Sequence, residues 1–427
     1  MKRITNAFLA AALMAGVAPL ALLPAPAAAQ KKEKEAKPAD FKLSKEFREI
    51  AVKAQAAVSA KDTATADPLV AQMEAAAKSD DERYIAASTR LNVEVLKSQA
   101  AGGGATAGLK APLEALIAAP RTPQADKAKF AYQLGVMASN AKDNAGAATY
   151  FQQAQQLGYQ DPNLPLNLVK LKMASGDVAG GQADLAKLID AQVAAGQKPD
   201  EQLYRFAISQ THQKRMAADT QAWIRRYLSA YPTVKNWRDM VVFWGIQPQA
   251  VVATDKPQKV DLYRLLRTGK ALADEYDYVI YAQYALDLGI PWESKAVLNE
   301  GKTAGKIAAG NATASGLLAA ANTSIGNEGA LTGLETRAKA AANGKLANST
   351  ADAYLGSGNW AKAVELYRVA LQKGSVDADA VNTRIGIALA NSGDKAGAKT
   401  AFETVKTPPR DGIAAMWLLF LDHPPVG

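Results

Sequence analysis

Asp274, Glu275 and Asp277 crowd into one short stretch beside Tyr276, Tyr278, Tyr281 and Tyr284. Paired carboxylates and flat rings are what glycoside cleavage uses: an acid for the leaving oxygen, a base or nucleophile, and aromatic faces for the sugar. The same residues suit a plainer role. Carboxylates this close in sequence fit the first turn of a helix, where the backbone N–H groups favour negative charge. Tyr281 and Tyr284 share one helix face and suit a buried groove between helices. No distinctive hydrolase motif accompanies them, so glycan processing ranks last among the functions considered.

Glu300-Gly301-Lys302-Thr303 carries the Gly-Lys-Thr of a phosphate-binding loop. That loop needs an earlier glycine where Ala296 stands, and a strand before it. The spacing predicts a helix that ends at Gly301 instead. His212 and His423 are the only histidines and belong to no ligand spacing, which argues against a histidine triad or a His-rich metal site. The absence of cysteine excludes a thiolate zinc site, a cysteine nucleophile, a disulfide scaffold and a lipid-modified cysteine. No catalytic residue, metal ligand or cofactor is assigned. Trp237 and Trp244 fall on one helix face, and burial is the expected reason.

The elements that would hold these residues are helices. From Phe41 onward, alanine-rich amphipathic stretches alternate with short Gly, Pro, Asn or Asp punctuation, and no alternating β-branched run supports a sheet. The first helices are expected at 44–60, 68–78 and 81–99, with Ser79 and Glu82 at capping-box spacing before the third. Gly102-Gly103-Gly104 reads as a surface loop. Counted from Ala351, the residues Tyr354, Gly358, Trp360, Ala363, Tyr367 and Ala370 return at the same offsets from Gly386 as Leu389, Gly393, Lys395, Ala398, Phe402 and Val405, 35 residues on. The frame fits again from Gly135, Val169 and Ala282, with a degenerate copy expected over 313–344. Between 204 and 267 the periodicity blurs, and 248–257 reads as a hinge or exposed loop. Ile413 to Leu421 is expected to close the last repeat.

Small residues where helices cross, a glycine turn and large apolar residues at a period near 34 resemble the tetratricopeptide repeat family. Tyr231-Pro232-Thr233, Asn236-Trp237-Arg238-Asp239 and Val376-Asp377-Ala378-Asp379 also look like segments of uncharacterised secreted alphaproteobacterial repeat proteins. The resemblance implies an all-α solenoid of antiparallel helix pairs, a right-handed superhelix irregular in its middle, with first helices lining a concave groove for a peptide or protein. Carried onto this chain, groove-facing positions are Lys345, Asn348 and Asp352 from one repeat and Thr383, Arg384 and Ile387 from the next. Asp352 and Ile387 interrupt the Lys, Asn and Arg set with which some members hold a terminal carboxylate, so that specificity is not carried over.

Met1-Lys2-Arg3, an apolar run through Leu22-Leu23 and Ala27-Ala28-Ala29 read as a secretory signal peptide at 1–29. Prolines 19, 24 and 26 leave the run too short to span a membrane. Residues 30–40 form a charged leader, 41–200 the N-terminal repeats, 201–345 an irregular centre, and 346–427 a repeat pair with a capping helix. Export without disulfides suits a Gram-negative periplasm. The formal charge of +9 over 427 residues is spread among acids without a basic block, which disfavours nucleic acid. The expected function is a non-enzymatic periplasmic scaffold for a protein or peptide, in envelope assembly or maintenance. The alternative is a module that binds anionic envelope glycan or lipopolysaccharide. Oligomeric state is left open.

Overall fold

The computed structural model describes residues 41–102, 107–161 and 163–427. The expected signal segment 1–29, the leader 30–40 and part of the glycine loop, 103–104, lie outside the described residues. Contacts divide the chain into two compact units, one ending at Gln197 and one beginning at Lys198.

The first unit contains α1 (Lys45–Ser59), α2 (Thr63–Ala76), α3 (Asp80–Ala100), α4 (Lys110–Ala118), α5 (Gln124–Asn140), α6 (Asn144–Gln156), α7 (Asn163–Ala174) and α8 (Val178–Ala194). Antiparallel neighbours pack as pairs, notably α1 with α2, α5 with α6 and α7 with α8. The capping box forms at α3: Glu82 N–H donates to Ser79 Oγ, and Ser79 N–H returns to Glu82. Helix α2 starts earlier than expected because Asp62 caps it by accepting from Thr65 N–H. Pro68, read from sequence as a start, therefore lies inside the helix.

The second unit contains α9 (Glu201–Gln213), α10 (Ala217–Ala230), α11 (Val234–Val241), a π-helical turn (Val242–Ile246), α12 (Lys256–Thr268), α13 (Glu275–Asp287), α14 (Pro291–Thr303), α15 (Ala312–Glu328), α16 (Leu331–Ala340), α17 (Lys345–Gly356), α18 (Trp360–Lys373), α19 (Ala378–Ser392), α20 (Lys395–Glu403) and α21 (Arg410–Asp422). It takes in both stretches treated separately in the sequence, 201–345 and 346–427. Among the described residues there is no β-strand, only an isolated parallel bridge between Thr233 and Val426. The architecture is all-α and built from helix-pair repeats.

The repeat offsets are visible as packing. Sixteen residues after Gly135, Val169, Ala282, Ala351 and Gly386 stand Phe151, Leu185, Leu298, Tyr367 and Phe402, all essentially fully buried. A Cβ on Gly386 would lie 2.5 Å from Phe402 Cε1, so the large residue of the second helix sits directly on the small residue of the first. At the turn between them Gly176, Gly289, Gly358 and Gly393 have positive φ, a region glycine enters at little cost. The same turn is made with positive φ by Lys61, Lys142 and Arg215. Two further copies thereby emerge, Ala54-Ala66-Val70-Met73 and Ile208-Thr220-Ile224-Tyr227, each with its members buried. The pair α9–α10 is thus a regular repeat inside the zone read as irregular.

The degenerate copy departs from the stack. Helix α15 packs on α13 and α14, α16 packs on α17, and α14 meets α17 directly. Gly356 makes that meeting possible: a Cβ there would lie 2.6 Å from Glu293 Cβ and 2.9 Å from the Glu293 backbone. Gly301 also differs from expectation. It lies within α14, which continues to Thr303, and it is bare because Ile307 and the Tyr278 ring press on it.

The 248–257 stretch is tied back rather than left loose. Val251 N–H and Val252 N–H donate to the carbonyls of Phe243 and Trp244 in the π turn, at 3.1 and 3.0 Å. Pro257 is already in the first turn of α12. Trp237 and Trp244 are both buried as expected. The closing helix α21 reaches further than the last repeat, packing on α19 and α20 and also on α10 and α12.

Candidate functional site

Helix α12 is the element around which the second unit closes. Asp255 caps it by accepting from Gln258 N–H, while Gln258 accepts from Asp255 N–H. Every residue from Val260 to Leu266 is buried, the pattern of a helix enclosed on all sides. It packs against α11, the π turn, α13, α19 and α21, so it lies against the last repeat on the side from which Arg384 reaches Asp261.

Two charged residues ride in the buried segment Val260–Leu266 of this helix, Asp261 and Arg264, and a buried ionic cluster receives them. Arg264 donates to Asp261 Oδ1 at 2.7 Å and to both carboxylate oxygens of Glu293 at 2.8 and 2.5 Å. Tyr281 O–H also donates to Glu293. Arg410 on α21 donates to Asp261 Oδ2 at 2.8 Å. Arg384 on α19 donates to both oxygens of Asp352 at 3.0 and 2.9 Å, and Tyr367 O–H reaches Asp352 at 2.6 Å. Arg384 Nε lies 3.6 Å from Asp261 Oδ1, joining the two halves. Three carboxylates thus face three guanidiniums, the balance that burial of charge demands.

Burial alone would push the Asp261 carboxyl up, but the guanidiniums of Arg384, Arg264 and Arg410 outweigh it and hold the group below its usual range. Burial likewise opposes ionisation of Glu293, and Arg264 overcomes it. The hydroxyls of Tyr281 and Tyr367 are pushed well up by burial and by the adjacent carboxylates. These groups hold each other in fixed ionisation states, an arrangement suited to locking helices together.

The expected groove residues divide accordingly. Lys345 is exposed and Asn348 half-buried. Asp352, Thr383, Arg384 and Ile387 are buried, which corrects their placement on an open groove surface. They do face inward from the first helices of their repeats, but α12 of the same chain occupies that side. Asp261, Arg264, Glu293 and Arg410 were not singled out from sequence. The available signal was Asp261 and Arg264 inside Val260-Asp261-Leu262-Tyr263-Arg264-Leu265-Leu266, since charges embedded in an apolar helix require buried partners.

The acidic stretch has structural work throughout. Asp274 caps α13 by accepting from Asp277 N–H at 3.2 Å. Asp277 is buried and takes both arms of Arg238 at 2.8 and 3.0 Å. Glu275 accepts from Asn311 at 2.5 Å and from Ala308 N–H at 3.1 Å. Tyr278 and Tyr281 are buried, and Tyr276 is 67% exposed. His212 packs edge-on against Phe243 at 4.7 Å between ring centres. Among the described residues no group of His, Cys, Asp and Glu is arranged to hold a metal ion.

Openings occur in both units. In the second unit, a cavity of about 380 Å³ lies at the C-terminal end of α12, lined by Arg264, Arg267, Lys270, Glu293, Trp360 and Asn391 among others. In the first, a groove of about 400 Å³ runs between α2, α3 and α4, with Ala86, Ala87, Ala111, Pro112 and Ala115 on its walls and Arg83 beside them.

No family model matches the sequence, and no curated protein does. A solved structure returned by fold comparison is the pentatricopeptide repeat protein PPR10 from maize, 14% identical, with a TM-score of 0.23. The match covers 84% of this chain and 58% of that one. The fold assignment rests on the helix-pair geometry described above.

Proposed function

We propose that this chain is a non-enzymatic repeat scaffold of the tetratricopeptide type, exported to the periplasm, where it binds a protein or peptide in envelope assembly or maintenance. Export is supported by Met1-Lys2-Arg3, the apolar run behind it and Ala27-Ala28-Ala29. The observation that carries the binding role is the contrast between the units: α12 packs on α19 and α21 of the C-terminal repeats, whereas the α2–α4 groove of the first unit has mostly apolar walls. An extended peptide would bury small side chains there against Ala87, Ala111 and Ala115. Among the described residues no helix is long and apolar enough to cross a membrane.

The test is affinity capture from envelope extract with the chain and with Ala111→Trp, which fills the groove from an exposed position. A discrete protein bound by the parent and lost with Ala111→Trp supports the reading. Equal capture by both, or capture of nothing, overturns it.

A further inference from the structure

The cavity beside α12 has its own chemistry. Its floor is the locked set Arg264, Tyr281 and Glu293, already mutually bonded. Its walls come from five helices or their ends: Arg267 in the last turn of α12 and Lys270 just after it, Glu300 on α14, Leu355, Ser357 and Trp360 around the α17–α18 turn, and Ile387 and Asn391 on α19. Counting only the lining charges, Arg264, Arg267 and Lys270 oppose Glu293 and Glu300, a surplus of one positive charge.

That surplus is available to a ligand. Glu293 is taken by Arg264, and Glu300 accepts from Arg267 Nε at 2.7 Å. Only Nε of Arg267 is used, which leaves the two terminal nitrogens of its fork, the part that matches a carboxylate. Lys270 is exposed at the rim and makes no ion pair among the described residues. Asn391 gives one amide N–H to the Ile387 carbonyl at 2.9 Å and keeps a second, while Ser357 Oγ donates to the Tyr354 carbonyl and can still accept.

We propose that this cavity binds a saccharide bearing a carboxylate. The half-buried Trp360 ring offers the flat apolar surface that the C–H face of a sugar ring covers. Asn391 and Ser357 supply a donor and an acceptor for ring hydroxyls. Arg267 and Lys270 receive the carboxylate. A volume of about 380 Å³ falls in the lower part of the range of ligand sites and suits one or two sugar rings. A bare inorganic anion would leave the Trp360 ring unused. The inference does not rest on the peptide groove of the first unit, and either can fail alone.

The experiment is calorimetric titration of the full chain with digalacturonate, with an uncharged digalactoside, and with acetate and inorganic phosphate, repeated for Lys270→Gln and Trp360→Leu. Digalacturonate is expected to bind, the uncharged sugar at least tenfold more weakly, and each variant to lose about tenfold, the scale of one charge-assisted hydrogen bond or one stacked ring. Lys270 is exposed, so Lys270→Gln reports on binding with the parent melting temperature as its check. Equal binding of the uncharged sugar overturns the proposal, as does acetate or phosphate binding as tightly as the acidic sugar. Absence of any binding, or unchanged affinity in Lys270→Gln, also overturns it.

Discussion

Arg384 holds both carboxylate oxygens of Asp352, at 3.0 and 2.9 Å, across the gap between consecutive repeats. Two residues that read in the sequence as groove ligands therefore bind each other. The reason is geometric: the first helices of successive repeats do point these side chains to a shared inner face, and α12 turns that face into interior. Once water is excluded, each charge needs the other, and Asp261 on α12 extends the pair into a network.

Arg384→Met should cost the second unit about 3–5 kcal/mol, because Asp352 and Asp261 would both be left short of a buried partner. Lys345→Ala, at an exposed position of the same predicted set, should stay within about 0.5 kcal/mol. Urea unfolding followed by tryptophan fluorescence separates the two. Equal stability of both variants would mean that the network contributes nothing.

Glu82 predicts an acid limit for the first unit. Its carboxylate accepts from the backbone N–H of Ser44 and Lys78, both at 2.8 Å, and of Ser79 at 3.1 Å. The Ser44 and Lys78 bonds lead in drawing its pKa from 4.5 down to about 2. A folded value below the unfolded one means that the stabilisation is complete above pH 4.5 and disappears as pH falls from there towards 2. The melting temperature should hold from neutral pH to about pH 5 and then drop. Glu82→Gln should be less stable at neutral pH, by about 1–3 kcal/mol, and should flatten the acid slope of this unit. An unchanged slope would remove Glu82 as its cause.

Gly356→Ala should loosen the contact of α14 with α17. The added methyl would meet Glu293 Cβ at 2.6 Å and Glu293 backbone atoms at 2.9 Å, and backbone cannot swing aside as a side-chain tip can. A loss of about 1–3 kcal/mol is expected. Gly316→Ala in α15 is the control. Nothing lies within 4 Å of its new Cβ, so it should gain about 0.5–1 kcal/mol through helix propensity. Thermal unfolding of the two variants should move in opposite directions.

The repeat frame was legible wherever glycine marked the turn, as at Gly358 and Gly393. It was missed at Lys61 and Arg215, where a long side chain takes the same positive φ and the small-to-large pairs Ala54–Val70 and Ile208–Ile224 carry the frame alone. The orientation of Asp352 and Arg384 was also readable, because inward-facing positions recur with the period. Their burial was not. It depends on α12 packing against repeats that begin more than seventy residues after it in sequence, a relation that no local spacing encodes. Gly301 shows the converse limit, since its glycine answers a close approach by Tyr278 rather than a helix end.

Removing α21 should open the second unit. Ile413, Met416, Trp417, Leu419 and Leu421 are buried in its interface, and Gly412 lets the helix approach Trp244, whose Cη2 would lie 2.9 Å from an added Cβ. Trp237 Nε1 donates to the His423 carbonyl at 3.1 Å, and the Trp237 ring packs edge-on against Phe420. Arg410 is one of the guanidiniums on Asp261. Five large side chains at about 1.5–3 kcal/mol each sum to roughly 10 kcal/mol, comparable with the whole stability of an ordinary domain. A chain ending at Pro409 should therefore lose cooperative unfolding of this unit, shift its tryptophan emission to the red and bind a hydrophobic dye. A separate peptide of residues 410–427 should restore the native emission, because it supplies both the apolar face and Arg410. The same peptide with Arg410→Met should restore less, since it would cover Trp244 while leaving Asp261 with only Arg264 and Arg384. Native emission in the truncated chain without any peptide would show that α12 holds the repeats together unaided.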